Sequence, residues 1–220
     1  MSGWVVLTSI SSSSIFIACS YTYQTPPPGG TAPVTRAPAP APAYRATPEE
    51  ARQQLLAMGF QFTEQDFLRA AKLGRADAVE LFLQAGMSPH VADAEGRTAL
   101  IWAARLGYLP VVQKLLQAGA DVKARDRDGW TALSVAPWAG YAPNEAELKR
   151  AGSDVNARDK FGNTPLIHAA NLGRTEVVQT LIAAGADVNA ANARGETALR
   201  LATRNGYASI VQMLKAAGAR

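Results

Sequence analysis

Chemistry-bearing residues are scarce in this chain of 220 residues. It holds one cysteine, Cys19, so one copy can form neither a disulfide nor a thiolate metal cluster. Its two histidines, His90 and His168, fall in no HExxH-type ligand spacing. There is no GxSxG elbow and no phosphate-binding P-loop. Metal, thiol and acyl-transfer chemistry therefore lack a site, no cofactor is expected, and an enzyme is the least favoured class. Charge is missing as well: the first 35 residues contain no Asp, Glu, Lys or Arg. Beyond Arg36 and Arg45, the only charges before Glu49, the chain carries 20 basic and 18 acidic residues. So small an excess is not a phosphate-binding stripe, and no nucleic-acid partner is expected.

The charge-poor N-terminus is organised in its own way. Residues Trp4 to Ala18 are apolar or small, and Cys19 follows at once. That run is too short to cross a bilayer as a helix and reads as the apolar part of an export signal. Phe16-Ile17-Ala18-Cys19 resembles the lipobox of bacterial lipoproteins, which implies lipidation of Cys19. The sequence departs from that pattern at Phe16, where Leu is usual, in the diluting Ser11 to Ser14, and in having no Lys or Arg upstream. The alternative is an uncleaved N-terminus with an incidental cysteine. Residues 26–48 hold 8 of the 13 prolines, which favours an extended polyproline II spacer without internal hydrogen bonds. At about 3.1 Å per residue, such a spacer reaches roughly 70 Å from an anchor. The expectation is an exported chain, periplasmic or membrane-anchored through Cys19, with secretion as the alternative.

From residue 60 onward glycine keeps a fixed step. Gly96, Gly129, Gly162 and Gly195 are 33 residues apart, and two further series (Gly74 to Gly206 and Gly86 to Gly218) keep the same step. A period of that size marks a solenoid. Thr98-Ala99-Leu100, Thr131-Ala132-Leu133, Thr164-Pro165-Leu166 and Thr197-Ala198-Leu199 each open a helix, with the hydroxyl placed to cap free N–H groups. Val111, Val112, Leu115 and Leu116, and likewise Val177, Val178, Leu181 and Ile182, form the buried stripe of a second helix. Glycine then ends that helix and the chain projects as a β-turn finger.

These residues resemble the ankyrin repeat, over residues 63–220, with Pro at the signature position only at Pro165 and no signature His. The resemblance implies an all-α solenoid of helix-turn-helix units with β-turn fingers, behind a disordered Pro-rich tether. The expected layout is a signal or lipobox-like segment over 1–19, a linker over 20–46 and a capping helix over 47–62. An atypical first repeat then spans 63–92, followed by repeats over 93–125, 126–158 and 159–191, and a polar capping repeat over 192–220. With both ends capped, the array is expected to be complete and monomeric.

The family resemblance also implies a protein partner, bound by finger tips and the exposed ends of the first helices. On this sequence those positions are Arg97, Arg127, Asp128, Trp130, Lys160, Phe161, Asn163, Arg194 and Glu196 on the fingers. On the helices they are Arg105, Trp138, Asn171 and Arg204. Trp130, Trp138 and Phe161 gather large aromatics near the middle of the array, either as an interface hot spot or as packing between fingers. Trp102 and His168 are expected inside the first helix, His168 as a satisfied core residue, and His90 in a turn. Repeat 126–158 is irregular: Pro137 breaks its first helix, and Asn144, Glu145 and Lys149 replace apolar residues of the second. It is either a decayed repeat or a distortion that presents Trp138 and Tyr141. Three roles fit: an envelope-tethered adaptor, an inhibitor or regulator of an enzyme or toxin, and a secreted effector acting on host proteins.

Overall fold

The computed structural model describes residues 46–220, so the export and spacer readings, Cys19 included, lie outside the described residues. Threonine sets the start of most inner helices. Thr63, Thr98, Thr131, Thr164 and Thr197 each accept, through Oγ1, the N–H three residues on, at 3.2–3.4 Å. Each such cap is worth about 1 kcal/mol. Behind them run α2 (Glu64–Lys72), α4 (Ala99–Leu106), α6 (Ala132–Val135), α8 (Pro165–Asn171) and α10 (Ala198–Arg204). A glycine with positive φ turns the chain back each time, as Gly107 does at φ 84°. The return helices are α3 (Ala76–Gln84), α5 (Leu109–Gln117), α7 (Ala142–Arg150), α9 (Thr175–Ala183) and α11 (Ala208–Ala216). Ahead of them stands α1 (Pro48–Ala57), begun by a Thr47–Glu50 capping box.

Two layers result. In the inner one α2 packs on α4, α4 on α6, and α8 on α10; in the outer one α1, α3, α5, α7, α9 and α11 pack in succession. The core is the seam between layers, filled by Leu100, Leu133, Leu166, Val111, Val112, Leu115, Val177, Val178 and Leu181. Among the described residues strand pairing is confined to isolated bridges, Ala92 with Thr98 and Ala191 with Thr197.

The fingers stack on one another by backbone hydrogen bonds. Arg127, Lys160 and Ala193 donate N–H to the carbonyls of Glu95, Asp128 and Phe161 at 2.9–3.0 Å. Arg125 and Arg158 tie successive fingers further, each donating Nη1 to a carbonyl of its own finger and one of the next. Such close approach leaves no room for a side chain at Gly162. Its φ is +76°, and a Cβ there would lie 2.9 Å from Ala193 N.

Repeat 126–158 departs from this plan in the way Pro137 dictates. α6 stops after four residues and a 3-10 turn, Ala136–Trp138, takes over. The freed carbonyls of Pro137 and Trp138 accept from Arg174 Nε and Nη2 at 3.3 and 3.2 Å. α7 nevertheless forms and enters the outer layer. The expectation that it lacks a normal apolar stripe takes a sharper form: it buries Leu148 together with Asn144 and Glu145, exposed by 0 % and 1 %. Neither polar side chain has a hydrogen-bond partner, and neither does the buried Ser153 hydroxyl, which stands where Ala120 and Ala186 stand in neighbouring repeats.

Candidate functional site

Each finger is shaped by one residue at its base. Asp93, Asp126, Asp159 and Asn192 recur on the 33-residue step, and each turns Oδ1 toward the N–H groups two and four residues ahead, at 2.8–3.1 Å. This fold-back aims the tip side chains at the inner helices. In two repeats the second carboxylate oxygen also reaches a helix. Trp102 donates its indole N–H to Asp93 Oδ2 at 2.9 Å, and His168 Nε2 lies 2.9 Å from Asp159 Oδ2. The same station holds Val135 and Leu201 in the other two repeats, so those fingers lack the latch.

The latches set local charge. Burial drives the His168 imidazole below its ordinary range, further than the Asp159 hydrogen bond and charge raise it. The ring is therefore neutral near pH 7, and Nε2–H donates to the carboxylate, which can only accept. His168 is the satisfied core histidine that its helix position suggests. Burial pushes the Asp93 carboxyl up, but the hydrogen bonds from Arg97 N–H and Trp102, with the Arg97 charge, outweigh it and hold the group below the usual range. Trp102 corrects its expectation: it is half-buried, with Lys72 Nζ and the Arg97 guanidinium 4.2 and 4.6 Å from its ring centroid. His90 sits exposed in a turn, its N–H bonded to Ser88 Oγ.

Between fingers and inner helices lie two grooves. One, of about 260 Å³, is lined by Arg97, Arg105, Arg127 and Trp130 with Glu95, Asp126 and Asp128. The other, of about 380 Å³, brings together Trp138, Phe161, Asn163, Asn171, Arg194, Glu196 and Arg204 over Ile167, His168 and Leu201. Lys160 lies outside both, exposed, paired with Asp128 and 5.0 Å from the Phe161 ring centroid. The aromatics divide. Trp130 and Trp138 are half-buried and pack at a tilt of 41° with centroids 4.6 Å apart, each also against His168 at 5.1 and 4.7 Å. Trp130 Nε1 is buried without a partner. Phe161 stands apart from that trio, half exposed. Tyr141, in the irregular repeat, is 47 % exposed.

Sequence reasoning passed over the base residues Asp93 and Asp159, although their signal was present: both recur on the glycine step, nine residues before a ring-bearing helix position. It also passed over Arg174, whose clamp on the broken turn exists only because that turn has free carbonyls.

A family model described as ankyrin repeats (3 copies) matches residues 67–144 and 144–220. No curated protein matches the chain.

Proposed function

The chain belongs to the ankyrin-repeat family, a family of interaction modules that typically lack catalysis, and from that premise we propose that it is a non-enzymatic adaptor tethered in a bacterial envelope. Its partner is a protein, held in the grooves between fingers and inner helices. The carrying observation is the second groove, where the half-exposed Phe161 faces Trp138 across Ile167 and Leu201. Large aromatics beside arginine, with one ring left in solvent, are the composition of an interface hot spot. The tether rests on Cys19 behind its apolar run and on the proline-rich spacer. No helix among the described residues is long and apolar enough to cross a membrane. A lipid on Cys19 supplies the attachment in this reading, and the array works as a monomer.

The test is affinity capture from envelope extract with the full chain, beside the Phe161→Ala, Asn171→Ala double variant. Both side chains are exposed, and Asn205 Nδ2, which loses Asn171 Oδ1, keeps the Asn171 carbonyl at 3.0 Å, so the melting curve is expected to stay close to native. One protein enriched by the native chain and lost by the variant supports the reading. Equal retention by the variant moves the binding face elsewhere, and no specific capture sinks the adaptor. Radiolabelled palmitate incorporated by the native chain and not by Cys19→Ala tests the anchor separately.

A further inference from the structure

The charges on this face are paired off with an unequal remainder. Three carboxylates lining the two grooves are already matched: the exposed Glu95 to Arg97 at 2.7 Å, the exposed Asp128 to Lys160, and the half-buried Glu196 to Arg204 at 2.6 Å. The base carboxylates Asp93, Asp126 and Asp159 are spent on finger backbone N–H groups. Three arginines remain, Arg105 and Arg127 in the first groove and Arg194 in the second, with no ion pair among the described residues. Arg194 adds to the field that lowers Glu196, behind the hydrogen bonds from Asn192 and Arg204, without bonding it. Against these three arginines the groove linings set one carboxylate that no cation pairs, Asp126, so the remainder is cationic, although residues beyond Arg45 carry only two more basic than acidic groups.

We infer that the partner presents an extended acidic segment with one bulky apolar side chain, the apolar side chain entering between Trp138 and Phe161 and its acidic neighbours meeting Arg105, Arg127 and Arg194. This rests on the protein-binding reading and names the chemistry of the ligand. The groove of about 380 Å³ sits near the lower end of ligand-pocket sizes and suits one large side chain. Arginine outside an ion pair, Arg105 having only the Trp102 ring 5.9 Å from its guanidinium, gains most from a carboxylate, which it can bind through two parallel hydrogen bonds. A nucleic-acid backbone fits less well, because the second groove offers Trp138, Phe161, Ile167 and Leu201, an apolar lining that a phosphate would not fill and a bulky apolar side chain would.

The test is fluorescence polarisation with the full-length chain and defined probes. The first is a labelled nine-residue peptide of glutamates around a central tryptophan. The others replace that tryptophan by alanine, replace the glutamates by lysines, or substitute a thymidine oligonucleotide of equal charge. The acidic tryptophan peptide is expected to bind roughly tenfold or more tighter than each control, and to weaken as salt rises. Arg105→Glu with Arg127→Glu is expected to lose at least about tenfold while the melting curve stays native, since neither side chain holds the fold by an ion pair. The inference is overturned if the acidic peptide does not bind, if the lysine peptide or oligonucleotide binds as well, or if charge reversal changes nothing. Should it fall while the Phe161→Ala, Asn171→Ala variant still loses its captured protein, the protein-binding reading survives alone.

Discussion

Helix α9 buries Val177, Val178 and Leu181, whereas α7, one repeat earlier, holds Asn144, Glu145 and Leu148 at the same three stations. Burying each valine or leucine fully is worth about 1.5–3 kcal/mol. At α7 two of those gains are replaced by polar groups with no partner, each costing about 1–3 kcal/mol. The helix forms all the same, because α5 and α9 flank it and leave no alternative surface for their own apolar stripes. What the pair teaches is that a solenoid imposes a shape on a unit that would not hold it alone, as nearest-neighbour stabilisation requires.

The largest expected effect restores the regular pattern. Asn144→Val with Glu145→Val should raise the opening free energy of the α7 amides by about 4 kcal/mol at pH 8. Native-state hydrogen exchange measures this directly, and in the native chain α7 is expected to open before α9. Slow exchange in α7, or no gain in the variant, would show that the orphaned groups are tolerated at no cost.

Next in size is the pH response. Burial pushes the Glu145 carboxyl up to about 7 from 4.5, outweighing its own nearby backbone N–H, which favours the charged form without reaching hydrogen-bond geometry. On α7, Glu147 pairs with Arg150 and Lys149 is exposed; α5 brings Lys114, held by Glu80; α9 brings the exposed Glu176, with Arg174 before it on carbonyls; and α6 and the 3-10 turn bring no charge. None of these offsets the burial. The unfolded chain takes up the proton at lower pH than the folded one, so stability present below pH 4.5 is lost as pH rises through about 7. The loss is about 3 kcal/mol. In urea titrations the difference between native chain and Glu145→Gln should close at pH 4.5 and be full at pH 8; a flat difference contradicts the assignment.

The latched and unlatched fingers offer a smaller contrast. His168→Leu removes one of the two donors to Asp159 Oδ2, leaving Asn163 Nδ2 at 3.2 Å, and the lost hydrogen bond to a charged group should lower stability by about 2 kcal/mol at pH 7.5. Because the folded imidazole lies below its ordinary 6.5, the native contribution is present above that pH and is lost on acidification, opposite in sense to Glu145. Thermal melts at pH 5.5 and 7.5 should therefore show the variant's deficit shrinking in acid.

The smallest effect separates finger stacking from local strain. Gly152→Ala meets open space at φ +94°, so it carries strain alone, whereas Gly162→Ala adds the approach to Ala193 N. The second should cost about 1 kcal/mol more than the first in a denaturant titration. Equal losses would mean that the fingers separate without penalty.

Legibility followed range along the chain. The turns, caps and stripes repeat on a step that each residue makes with near neighbours, so Thr164 and the glycine series announced them. Pro137 likewise announced the break in α6, because the missing N–H and fixed φ act within one turn. The two readings of Trp130 and Trp138 could not be separated that way, since their tilted packing against His168 joins one repeat to the next. Trp102 is half-buried rather than inside, with Lys72 and Arg97, from other parts of the array, against its ring.

The sequence by itself determined the period, the fold class and the place of the irregular unit, because these depend on backbone permissions and apolar spacing that act locally. Only the tertiary structure decided that Asn144 and Glu145 are buried without partners, and that Arg105, Arg127 and Arg194 are left over. Both facts depend on which groups from other repeats occupy the space around a side chain. Asp128 meets Lys160 across 32 residues, and a pairing at that range is set by packing of the whole array.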